Sequence, residues 1–86
     1  MRLITTKKFD KQFRKQPKKI QKEFVKRIEL FLIDMYSPTL GVHKLSGQMK
    51  DLWSFSLSGD VRVIFDRING DVAVLVAVGS HGELYS

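Results

Sequence analysis

Eighty-six residues, 43% of them hydrophobic and 10% aromatic, suffice for one packed core and leave no room for a second. The chain has no cysteine, which excludes a disulfide framework and a thiolate metal site, and no apolar run nears the roughly 20 residues that cross a bilayer. The net charge of +6 is concentrated: eleven of the fifteen Lys and Arg fall in residues 1–30, so that stretch carries +8 and the remainder −2.

In chain order, Arg2 to Thr5 reads as a short strand. Thr6 reads as the N-cap of a helix from Lys7 to Lys15, with Phe9 and Phe13 one turn apart on a single face. Pro17 interrupts that pattern and suits the first turn of a second helix, which starts near residue 17 and reaches about Tyr36. Ile20, Phe24, Ile28, Phe31, Leu32 and Met35 give this helix an apolar stripe, with Lys18, Lys19, Lys22, Lys26 and Arg27 largely off it. Ser37, Pro38 and Gly41 end the helix and open a connecting loop over residues 37–50 with few apolar side chains. The helical hairpin is thus apolar beneath and cationic on top. Surfaces normally mix both signs, so a charge this one-sided points to a polyanionic partner, a nucleic acid or an acidic protein.

From Leu52 the hydrophobic period changes to two. Trp53, Phe55 and Leu57 alternate with Ser54, Ser56 and Ser58, a half-buried strand. Val61 to Ile68 is the next strand, Asn69-Gly70 a hairpin turn, and Val72 to Val78 a last strand, apolar on both faces and hence central. The expected fold is α+β, in the order β-α-α-β-β-β, with a mostly antiparallel four-stranded sheet. Numbering the strands along the chain, their order across the sheet should be second, third, fourth, first, with the helical hairpin on one face.

The turns predict the register. A two-residue turn at Asn69-Gly70 pairs Phe65 with Val74, Val63 with Val76 and Arg62 with Ala77. A three-residue loop at Ser58-Gly59-Asp60 sets Phe55 against Val63 and Trp53 against Phe65, which aligns the apolar rows. Trp53 is then a core residue. The face turned away from the helices should carry Ser56, Arg62 and Ala77, and an extended last strand should bring Gly79 and His81 onto it.

Arginine inside a strand, facing away from the helices, suits a phosphate clamp, because the planar guanidinium meets phosphate oxygens two at a time. The plainer alternative is a surface pair with Asp60 or Asp66. His81 is a candidate proton-transfer group, since imidazole titrates near neutrality; His43, in the loop before the sheet, is a second. Two histidines without a carboxylate cluster make no convincing metal site. Leu45-Ser46-Gly47 is too short for a phosphate loop, and Ser54, Ser56 and Ser58 lack the sharp turn that exposes a hydrolase nucleophile. The chemistry that fits is metal-free, cofactor-free ribonuclease action. There the 2′-OH of the RNA attacks the adjacent phosphate, and the protein supplies a base, an acid and a cation.

The order of elements, the loop His43-Lys44-Leu45-Ser46-Gly47, the stretch Asp60-Val61-Arg62-Val63-Ile64-Phe65 and the ending Val78-Gly79-Ser80-His81-Gly82-Glu83-Leu84-Tyr85-Ser86 together resemble the RelE/ParE toxin superfamily. The resemblance covers essentially the whole chain, and the histidine followed four residues later by an aromatic is most similar to the YafQ branch of mRNA endoribonucleases. It implies the toxin of a type II toxin–antitoxin pair, restrained by a cognate antitoxin protein and cutting mRNA on the ribosome. It further implies that Arg62 holds phosphate, that His81 is a general acid and that Tyr85 positions the nucleotide. His43 matches the loop histidine of the YafQ branch, and Asp60 an acidic residue just before the arginine strand. Lys18, Lys19, Lys22, Lys26 and Arg27 become the RNA- and ribosome-docking set. Neither membrane nor metal is expected, and the N-terminus lacks the apolar region of a secretory signal, so the expected compartment is the cytoplasm. RelE-type enzymes carry strand lysines where this chain has Ser54 and Ser56, and a further basic residue near Ser80. A ParE-like reading therefore stays open, a non-enzymatic toxin that inhibits DNA gyrase, as does an inactive member.

Overall fold

Caps and a turn-forming aspartate set the limits of the helical hairpin. In the computed structural model, which describes residues 2–49 and 51–85 and all their side chains except those of Gln48 and Asn69, β1 spans Arg2–Thr5 and α1 spans Lys7–Arg14. The Thr6 hydroxyl accepts a hydrogen bond from the Phe9 N–H at 3.0 Å, the N-cap expected. α2 covers Lys18–Ile33 and stops short of Tyr36. Asp34 ends it: the backbone there is extended, and its carboxylate accepts from the Tyr36 N–H at 3.1 Å, a local turn that competes with another helical turn. Leu32 does not join the apolar stripe; it is 43% exposed, and Phe31 and Met35 carry the buried seam, with Ile20, Phe24 and Ile28 packed against it.

The sheet has five strands rather than four: β2 (His43–Lys44), β3 (Trp53–Ser58), β4 (Val61–Asn69) and β5 (Val72–Ser80) join β1 in the order β1-β5-β4-β3-β2. β1 runs parallel to β5 and the other pairs are antiparallel. The strand added to the expected order is the two-residue β2 at the edge, drawn from the segment expected to be plain loop. That loop also sends Leu40 fully into the core, and the Ser56 N–H donates to the Leu40 carbonyl at 2.8 Å. One aromatic cluster joins α2 to the sheet and a second joins α1 to α2. Phe31 lies 5.2 Å from Phe55 and 5.0 Å from Phe65 by ring centroids, and Phe13 lies 5.8 Å from Phe9 and 5.0 Å from Phe24. Each such pair adds roughly 0.5–1.5 kcal/mol beyond its buried area.

Between β3 and β4 the expected pairs Trp53–Phe65 and Phe55–Val63 form. An irregularity between Ser56 and Ser58 then sets Ser58 opposite Val61, so the turn is Gly59-Asp60, with Gly59 at φ +53°, instead of a three-residue loop. Between β4 and β5 the expected register is wrong. Phe65 pairs with Leu75, Val63 with Val78, and Arg62 with Gly79 instead of Ala77, with shifts at Ile64/Phe65 and Arg67/Asn69. β5 also extends past β1, where a bare edge would leave backbone groups without partners. Side chains of the first helical segment cover it: the Thr6 hydroxyl donates to the Val76 carbonyl at 3.0 Å and the Gln12 amide oxygen accepts from the Val78 N–H at 2.9 Å.

Candidate active site

The face of the sheet turned away from the hairpin is only partly open. Ser54, Ile64 and Ala77 on it are at most 3% exposed, and Met49, Leu52 and Leu84 gather with Ile64 and Ala77 about a cavity of about 280 Å³. What stays accessible centres on Arg62, in a row with Ser56 and Gly79. β5 does not continue to His81 as expected. The chain turns at Ser80 into a short helix, α3 (His81–Tyr85), and it is this helix that carries His81 and Tyr85. One turn apart, their rings meet with centroids 4.6 Å apart. From the other side β2 brings in His43, paired with Ser54. His43, Leu45, Ser46, Arg62, His81 and Tyr85 together line a cleft of about 390 Å³.

Hydrogen bonding orients the His43 ring. Its Nδ1 lies 3.1 Å from the Gly41 carbonyl, which can only accept, so in the neutral ring Nδ1 carries the proton and Nε2 keeps its lone pair. Nε2 lies 3.5 Å from the buried Ser54 hydroxyl. The Arg62 Nε is buried and has no hydrogen-bond partner among the described residues. An unmet buried donor costs about 1–3 kcal/mol, more when charged, and an anion in the cleft would relieve that cost. No ion pair joins Arg62 to Asp60 or Asp66 among the described residues. Asp60 is exposed in the β3–β4 turn and does not line the cleft, so of the five candidate catalytic residues four come together and Asp60 stands apart.

Leu45 and Ser46 line the cleft although the residue chemistry gave no reason to choose them. Ser80 and Glu83 were also missed, and they support α3 as a reciprocal capping box. The Ser80 N–H donates to the Glu83 carboxylate at 2.8 Å, and the Glu83 N–H donates to the Ser80 hydroxyl at 3.2 Å. These bonds from the Ser80 backbone and hydroxyl hold the Glu83 carboxyl below its ordinary 4.5. The Ser-x-x-Glu spacing was the available signal, masked by extending β5 through it.

None of the hairpin cations lines the cleft. Lys18 and Lys22 rim a separate groove of about 280 Å³ with Phe13, Gln21 and Val25. Arg27 is tied into the fold: its Nε pairs with Glu23 at 2.8 Å and its terminal nitrogen donates to the Thr39 carbonyl at 2.6 Å. Among the described residues no group of three or more His, Asp or Glu is placed to hold a metal, and no helix is long and apolar enough to cross a membrane.

No family model matches the chain, and no curated protein matches it in sequence. In structure its α+β fold is that of the RelE/ParE-type toxins. Among its neighbours are a metal-bound toxin from Helicobacter pylori (27% identity over 96% of this chain and 97% of that one, TM-score 0.70) and YafQ from E. coli (16%, 99% and 98%, 0.73). A chain of the RelB–RelE antitoxin–toxin complex from Methanococcus jannaschii is similar at 20% identity over 95% and 94%, TM-score 0.74.

Proposed function

We propose that the chain is the toxin of a type II toxin–antitoxin pair and an endoribonuclease that cuts mRNA on the ribosome by transphosphorylation through the RNA 2′-OH. The observation that carries the reading is the Arg62 guanidinium, its Nε buried and without a partner among the described residues, in one cleft with two histidines and a tyrosine. His43 Nε2 takes the proton of the 2′-OH while O2′ bonds to phosphorus. The P–O5′ bond breaks as the His81 imidazolium protonates O5′. Arg62 stabilises the charge that develops on the phosphorane, and Tyr85 packs against the reacting nucleotide. The products are a 2′,3′-cyclic phosphate and a 5′-hydroxyl. An antitoxin partner is supported by the toxin–antitoxin complexes among the structural neighbours.

The test is incubation of the purified protein with ribosomes and mRNA, with the new ends analysed for cyclic phosphate, beside a gyrase supercoiling assay. Cyclic-phosphate ends that disappear in an Arg62→Ala/His81→Ala double variant support the ribonuclease. Inhibited supercoiling with intact mRNA supports the ParE-like reading instead. One observation favours that second reading: Ser54, fully buried, and Ser56 stand where RelE-type enzymes carry strand lysines, so the site lacks both of those cations.

A further inference from the structure

α3 is five residues long, too short to hold together as an isolated helix. Its two sides do different things. His81 and Tyr85 face the cleft, while Glu83 and Leu84 line the second cavity with Ile64 and Ala77. Glu83 closes the capping box at the point where β5 becomes α3. Its side chain also rests on Gly79, the strand residue paired with Arg62. A Cβ on residue 79 would stand 3.1 Å from the Glu83 carboxylate oxygen and 3.3 Å from its Cβ, so a side chain there would push Glu83 off β5 by a few tenths of an ångström.

We infer that Glu83, seated on Gly79, is a positioning residue that sets His81 and Tyr85 against Arg62 without itself entering the cleft. Its rate consequence rests on the ribonuclease reading above; its structural consequence does not. The Glu83 oxygen that matters is an acceptor for the Ser80 N–H, and a glutamine amide oxygen can replace it, whereas alanine cannot.

The experiment compares Glu83→Ala, Glu83→Gln and Gly79→Ala in two measurements. The first is NMR without substrate, following the ring-to-ring contact of His81 and Tyr85 and the exchange protection of the Ser80 amide. Both should be lost in Glu83→Ala, weakened in Gly79→Ala and kept in Glu83→Gln, with the β4 amides unmoved in all three. The second is single-turnover cleavage. Glu83→Ala should lose up to roughly 10²-fold in rate at saturating RNA, the scale for misplacing a catalytic group by about 1 Å, and Gly79→Ala less, with RNA affinity little changed in either. Glu83→Gln should retain most of the rate. Combining Glu83→Ala with Gly79→Ala should cost less than the two separate losses together, because both act through one contact. A ring contact and Ser80 protection that survive in Glu83→Ala overturn the inference. Wild-type protein inert toward RNA defeats the ribonuclease reading alone, and the NMR comparison still decides the role of Glu83.

Discussion

The hairpin and the cleft divide charge from chemistry. On the hairpin Lys18, Lys19, Lys22 and Lys26 form no ion pair among the described residues, and their influence is a field that acts at a distance and that salt screens. In the cleft one guanidinium, two imidazoles and a phenol are fixed by a carbonyl, a buried strand and a ring contact. The most charged surface of this molecule is therefore not its best-organised one. Net charge reports what a protein will meet; constrained side chains report what it can do on meeting it.

The sharpest break in that comparison is substitution in the cleft. His81→Ala should slow cleavage by roughly 10²- to 10⁴-fold, the range for loss of a general acid or base, and leave RNA affinity nearly intact. Arg62→Ala should weaken both, because its charge contact exists with bound substrate and strengthens in the transition state. Single-turnover rates beside equilibrium RNA binding separate the two. Cleavage at the wild-type rate by His81→Ala would move the chemistry out of this cleft.

Charge reversal on the hairpin should give the opposite pattern, with a smaller effect on chemistry. Replacing Lys18, Lys19 and Lys22 with Glu should weaken RNA or ribosome binding and flatten its salt dependence, by a log–log slope of about 0.7 per lost single-strand phosphate contact. The rate at saturating substrate should stay at the wild-type value. Arg27 is left out of this set because Glu23 and the Thr39 carbonyl already engage it. Binding unchanged in the triple variant would return these lysines to being a solvated helix face.

The two regions also differ in how far the sequence disclosed them. The hairpin was legible because Thr6, Pro17 and the phenylalanine spacing are local signals, each acting within a turn or two of itself. Asp34 defeated the estimate of where α2 ends, since a side-chain turn can override a continuing apolar period. In the cleft the candidates Arg62, His43, His81 and Tyr85 stood out by residue type, but the route that gathers them did not. β5 reads Val-Ala-Val-Leu-Val-Ala-Val, and with both faces apolar an added residue leaves no break in the pattern. The skipped Val76 therefore left no trace, and with it the pairing of Arg62 with Gly79 was lost. A strand extended past Ser80 would have put His81 near the same place for the wrong reason. The helix does so by a capping box that depends on protonation.

That dependence gives the smallest expected effect, confined to α3. The Glu83 carboxyl is held below its ordinary 4.5 by the Ser80 N–H and hydroxyl, so its folded value is lower than its unfolded one. Stability from such a group is fully present above the unfolded value and is lost as pH falls through the folded one. The charged residue that shares the second cavity with it is Lys8 of α1. As pH falls below 4.5 the capping box should accordingly weaken and the docking of α3 loosen, while the sheet stays folded. The His81–Tyr85 ring contact should fade and Ser80 amide protection fall, before any loss of the near-ultraviolet signal from Trp53, which is not the core residue expected but packs partly buried against the core. Glu83→Gln keeps an acceptor but has no carboxyl to titrate, so its α3 should stay docked across the same interval. Loosening of α3 at the same pH in wild type and Glu83→Gln would assign the transition to another group, and the capping box would then hold the helix irrespective of charge.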